Sequence, residues 1–110
     1  MGRESRAGRR CVPAKLRRRV RDLLNEQLFG TIWNRPGLPV KLRSLITMTA
    51  LMALGRGPEL RLHMRGALNL GIPPEEIKEL IVHVSQYSGV PTAIEAIRAF
   101  AEVTTPPKPK

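Results

Sequence analysis

Glu59 and His63 stand four residues apart in the run Pro58-Glu59-Leu60-Arg61-Leu62-His63, whose apolar spacing predicts a helix. At that separation the two side chains share one face. A carboxylate in reach of an imidazole fixes its tautomer and raises its proton affinity, which suits a proton shuttle; the same pair also serves as an ordinary surface contact. Arg61 and Arg65 flank it, either as solvated charges or as a clamp on a carboxylate. His83 follows the apolar run Leu80-Ile81-Val82, with Tyr87 one turn further on, so these rings also share a face. They read as hydrogen-bond donors to a ligand or as a partly buried structural pair. Arg43 and Ser44 open another helix, where a guanidinium and backbone N–H groups together suit an anionic carboxylate. Trp33 is a core ring or a pocket wall. The chemistry on offer is acid–base catalysis on an anion. No metal-ligand or haem spacing is present, so neither a metal nor a cofactor is expected.

The elements that must hold these residues are helices. Pro13 suits a first helical position, and Leu16, Val20, Leu23, Leu24 and Leu28 recur at three- and four-residue steps, ending near Phe29-Gly30 or Trp33. Arg35-Pro36-Gly37-Leu38-Pro39 is a loop. A second helix is predicted from Pro39 to Leu54, with Leu42, Leu45, Ile46, Thr49, Ala50, Met52 and Ala53 facing inward. Gly55-Arg56-Gly57-Pro58 breaks or kinks it, and a third runs from Pro58 to Gly71, with Leu60, Leu62, Ala67 and Leu68 along it. Pro73-Pro74-Glu75-Glu76 starts a fourth, with acids at the positive end of its dipole; Gly89 ends it. Pro91 starts a fifth that reaches Val103, with Ala93, Ile94, Ile97 and Phe100 along it. No strand pattern survives, so the fold class is all-α with about five helices. The division is a basic disordered arm over 1–12, a helical domain over 13–103 and a disordered tail over 104–110.

Composition narrows the class further. The chain has 110 residues, 42% hydrophobic but only 4% aromatic, so its core is aliphatic. A domain this small buries a modest core, and a symmetric oligomer hides further apolar surface. The net charge of +10 is unevenly placed: residues 1–21 hold nine of the 19 basic residues and one of the nine acids. Residues 22–110 therefore keep ten basic and eight acidic residues, about +2, and the basicity belongs to the arm. That arm can bind phosphate backbones in a salt-sensitive way, but it has no interleaved aromatics. Cys11, the single cysteine, makes no intrachain disulfide. No apolar run approaches the roughly 18 residues of a membrane span, and the start lacks the apolar core of a secretory signal. Cytoplasmic location is expected.

Several separated motifs occur together: Phe29-Gly30-Thr31-Ile32-Trp33-Asn34-Arg35-Pro36-Gly37-Leu38, Lys41-Leu42-Arg43-Ser44, Leu54-Gly55-Arg56, Glu59-Leu60-Arg61-Leu62-His63, Gly71, Glu75-Glu76-Ile77, and Tyr87-Ser88-Gly89-Val90-Pro91-Thr92-Ala93. In this order they resemble the carboxymuconolactone decarboxylase family over roughly residues 25–103. The resemblance implies cofactor-free loss of CO2 from 4-carboxymuconolactone, a lactone dicarboxylate, to give 3-oxoadipate enol-lactone in the β-ketoadipate route of aromatic catabolism. It implies His63 as proton donor oriented by Glu59, His83 and Tyr87 as donors to the lactone oxygen, and Arg43 on a carboxylate. Family members also form trimers or hexamers, so a homo-oligomer is expected. The Arg-rich start departs from the helical segment usual in the family.

The related alkylhydroperoxidase D type of peroxidase uses Cys-x-x-Cys followed by a histidine. Aligned on His63, this chain has Arg56 and Glu59 in place of the cysteines, which disfavours thiol peroxidase chemistry. Two other readings stand beside the decarboxylase: a non-catalytic helical oligomer, or one acting on another lactone, and polyanion binding through the arm.

Overall fold

The computed structural model of the chain describes residues 12–106, and every regular element among them is helical. Contacts divide the chain into two units, separated between Gly37 and Leu38. The expected arm, Cys11 included, lies outside the described residues apart from Val12, as does the tail from residue 107.

In the first unit, α1 spans Ala14–Gln27, with Pro13 preceding it. The helix does not stop there. It widens into a π-helical turn over Leu28–Ile32, closed by the Trp33 N–H on the Leu28 carbonyl at 2.8 Å. The Phe29 and Trp33 rings meet across this turn, their centroids 5.7 Å apart and tilted by 38°. Leu16, Val20, Leu23 and Leu24 form an apolar stripe on α1, each about half exposed.

The second unit contains α2 (Val40–Ala53), α3 (Gly57–Asn69), α4 (Pro74–Ser88) and α5 (Val90–Thr104). α2 packs on α3 and α4, and α5 packs across α3 and α4 with a lighter contact to α2. Met48, Met52, Leu60, Met64, Ile72, Ile77 and the small Ala67, Ala96 and Ala99 fill the centre. Each large side chain buried there contributes about 1.5–3 kcal/mol. The alanines let α3 and α5 approach closely.

Sequence punctuation sets the ends. α3 closes in a Schellman motif, with the Ile72 N–H on the Ala67 carbonyl and the Gly71 N–H on the Leu68 carbonyl, both at 3.0 Å. Gly71, at φ 91°, supplies the left-handed residue it requires. α2 ends the same way, through Arg56 on Leu51 and Gly55 on Met52. Between α4 and α5 there is a single residue, Gly89, at φ 95° and ψ 164°. That region of backbone space is essentially restricted to glycine. The Ser88 and Thr92 hydroxyls bridge the corner at 2.5 Å.

The inward face of one helix differs from the sequence expectation. α2 buries Ser44, Met48 and Met52, whereas Leu42 and Ile46 are 45% and 55% exposed. Ala50 and Ala53 are exposed as well. On α5 the buried residues are Ala96 and Ala99, and Ile94 and Ile97 face outward; on α3, Leu62 does so too. Both α2 and α5 are apolar on more than one side, so periodicity does not choose the packed face.

Candidate active site

His63 sits in the middle of α3, half-buried, with Glu59 exposed one turn earlier in the helix's first turn. Burial pushes the imidazole pKa below its ordinary value, because desolvation disfavours the charged ring. This is opposite in direction to the effect expected from a close carboxylate.

Arg61, two residues from His63, is not a free clamp for substrate. Its Nε donates to Glu102 Oε2 at 2.5 Å and its Nη2 to Glu102 Oε1 at 3.1 Å, while Nη1 reaches Glu95 Oε1 at 2.9 Å. Glu102 is held below the usual carboxylate range, mainly by that hydrogen bond. The guanidinium is raised above its already high value by the same contacts. Arg61 thereby commits one flank of α3 to α5. Residues 61 and 63 lie about 200° apart around the helix, so His63 and Glu59 fall on the side of α3 away from Arg61.

α2 itself has two flanks. Thr49 and Ala53 line a hollow of about 420 Å³ with His83, Val84, Tyr87 and Ser88 of α4. The His83 and Tyr87 rings stack there in a tilted arrangement, with centroids 5.5 Å apart, and Tyr87 is 82% exposed. Arg43 lies six residues before Thr49, about 120° around and 9 Å along the axis. With Thr47, whose hydroxyl donates to the Arg43 carbonyl at 2.8 Å, it occupies the flank away from this hollow. The structure therefore brings His83 and Tyr87 together beside Thr49 and Ala53 of α2. Thr49, expected only as an inward-facing residue, and Ser88, noted only within the Tyr87–Ala93 run, join the His83 hollow.

Arg43 is half-buried, but its own amide donates to the Pro39 carbonyl at 3.1 Å, so it adds no backbone donor to an anion site. Ser44 is 2% exposed, in the packed stripe with Met48 and Met52, which removes it from the ligand-facing surface. Its small side chain fits where α2 meets its neighbours. Trp33 is half-buried against Phe29 in the first unit. Among the described residues no group of three His, Cys, Asp or Glu side chains is placed to hold a metal ion, and no helix is long and apolar enough to cross a membrane.

Residues 18–102 match the carboxymuconolactone decarboxylase family. The chain is 44% identical over 82 residues to the 4-carboxymuconolactone decarboxylase of Acinetobacter baylyi, covering 74% of this chain and 61% of that protein. It is 43% identical over 76 residues to the nitrosuccinic acid decarboxylase npaB of Metarhizium robertsii, covering 69% and 53%. A third relative, an uncharacterized 15.0 kDa protein from the nqo9-nqo10 intergenic region of Paracoccus denitrificans, is 38% identical over 84 residues, covering 74% and 62%. The chain thus spans less than two thirds of the length of each of these relatives.

Proposed function

We propose that this chain, which belongs to the carboxymuconolactone decarboxylase family, is a cofactor-free decarboxylase of small dicarboxylic acids, with 4-carboxymuconolactone as its substrate. The observation that carries the reading is His63, a half-buried imidazole on a helix anchored along both flanks. The relatives' names support it. 4-Carboxymuconolactone and nitrosuccinate share one logic: a departing carboxylate, a retained carboxylate and an oxygen that accepts the electrons.

In the lactone, the bond to the leaving carboxylate breaks and its electron pair passes through the double bond into the lactone carbonyl. CO2 departs, and the resulting enolate takes one proton at carbon. The protein has to hold a dianion, stabilise the oxyanion and deliver that proton. In this account the protonated form of His63 is the donor. Its depressed pKa makes it a strong acid, and the charge of the bound dianion draws the proton on. Glu59, exposed on the same flank, relays protons from water. Arg43 holds the retained carboxylate. His83 and Tyr87, whose rings meet beside α2, donate hydrogen bonds to the lactone oxygen.

The enzyme works as a homo-oligomer. α5 supports this with a second apolar stripe, Val90, Ile94, Ile97 and Ala101, exposed and spaced four, three and four residues apart, the pattern of a helix seam. The test of substrate class is a side-by-side assay of 4-carboxymuconolactone and nitrosuccinate for CO2 release. Turnover of the lactone supports the reading. A folded oligomer that releases CO2 from neither acid contradicts it.

A further inference from the structure

Arg61 forms three short contacts with two carboxylates on α5, and its side chain is only 18% exposed. Glu95 and Glu102 are seven residues apart, two turns of the same helix face, and Arg61 spans them. A further carbon at the head of α3 would press on the ends of this contact. A Cβ on Gly57, one turn before Arg61, would lie 2.7 Å from Glu95 Oε1 and 3.0 Å from Arg61 Nη1. Gly57 is itself buried at the head of α3. Gly57 leaves the clamp space to hold both carboxylates without a shift of the Glu95 side chain.

The clamp's position on α3 gives it a consequence for the opposite flank. The buried residues Leu60, Met64 and Ala67 run between Arg61 and His63, and apolar contacts alone are not directional. A fork of N–H donors on two fixed carboxylates is directional. A roll of α3 by about 20° moves a side chain at about 6 Å from the axis by roughly 2 Å, enough to change a half-buried ring's access to water. We propose that Arg61 is a positioning residue: by gripping Glu95 and Glu102 it sets the roll of α3 and so fixes the depth of His63 on the other flank. Misplacement on this scale is costly to proton transfer, where about 1 Å matters.

The proposal uses the reading of His63 as acid but is tested without substrate. The ring protons of the two histidines are followed by NMR against pH in the full chain, with His83→Gln to assign them. The informative variants are Glu102→Gln and Glu95→Gln. Loss of a negative charge by itself moves the His63 midpoint down, whereas loosening α3 hydrates the ring and moves it up, toward the ordinary imidazole value. The expected result is an upward shift in both, larger in Glu102→Gln, and an upward shift in Arg61→Ala that Arg61→Lys restores in part. Ile77→Val, a core change away from the clamp, leaves the midpoint in place. An unchanged or lowered midpoint in a folded Glu102→Gln protein overturns the proposal. If Arg61→Ala does not fold, the two glutamate variants decide alone.

Discussion

Arg61 of α3 and Glu102 of α5 meet side-on, Nε to Oε2 at 2.5 Å and Nη2 to Oε1 at 3.1 Å, across 41 residues of sequence. This pair and its neighbour Glu95 are the polar joint between helices that otherwise meet through small apolar residues. The joint lies on one flank of α3 and the candidate acid on the other, so packing and chemistry are coupled through one helix.

The first consequence concerns Gly57. Gly57→Ala drives a methyl group toward Glu95 Oε1, 2.7 Å away in the present geometry, and the carboxylate has to leave Arg61 to make room. Because the atom that must move is the free end of a flexible side chain, the cost is that of weakening one partly exposed ion pair, about 0–1 kcal/mol. Thermal unfolding should show a fall of no more than about 4–8 °C, the shift that 1 kcal/mol produces in a domain of this size.

A second substitution tests the corner between α4 and α5. Gly89→Ala keeps the same φ of 95° only with strain, since a Cβ disfavours that backbone region. The expected loss is about 1–3 kcal/mol. Chemical denaturation should show a lower midpoint with an unchanged slope; a midpoint equal to that of the parent would contradict the strain argument.

The pH dependence follows from two groups with a common sign. His63 has a folded pKa below its unfolded value of about 6.5, so the unfolded chain binds the proton first and stability falls as pH drops below that value. Glu102 is depressed by Arg61, so its contribution is present above the usual carboxylate range and lost as pH falls through the folded pKa. Both act to destabilise the fold in acid. In kinetics, kcat/KM reports the free enzyme and should lose activity on the alkaline side with a midpoint below the ordinary imidazole value. The corresponding limb of kcat should lie higher, because bound carboxylates favour the charged ring. Coincident limbs would separate His63 from the proton-transfer step.

Oligomerisation is read from α5. Ile94→Glu together with Ile97→Glu places charge in the exposed stripe without entering the core, and light scattering should show a smaller particle with helical content retained. An unchanged mass would assign the interface to another face.

How far the sequence reached depends on the kind of signal. The helix ends were legible because Pro39, Pro74, Gly55, Gly71 and Gly89 have local conformational meanings that tertiary structure did not override. The packed face of α2 was not: Leu42 and Ile46 mark an apolar side as strongly as Met48 and Met52 do, and the buried Ser44 looked polar and therefore exposed. His63 and Glu59 were legible as a pair on one helix face, but burial, a tertiary property, sets the direction of the ring's pKa. The Arg61 clamp joins residues 34 and 41 positions apart. Its one local trace is a glycine one turn before an arginine, matched by two acids two turns apart on an apolar helix.

The most direct test of the account is CO2 release from freshly generated 4-carboxymuconolactone by the parent protein and by His63→Ala, with fold and particle mass verified for both. The account predicts turnover by the parent and a loss of about 10²-fold or more in the variant, the range expected for removing a general acid. Equal rates in the two proteins would contradict the assignment of His63. No release from a folded parent would contradict the decarboxylase itself.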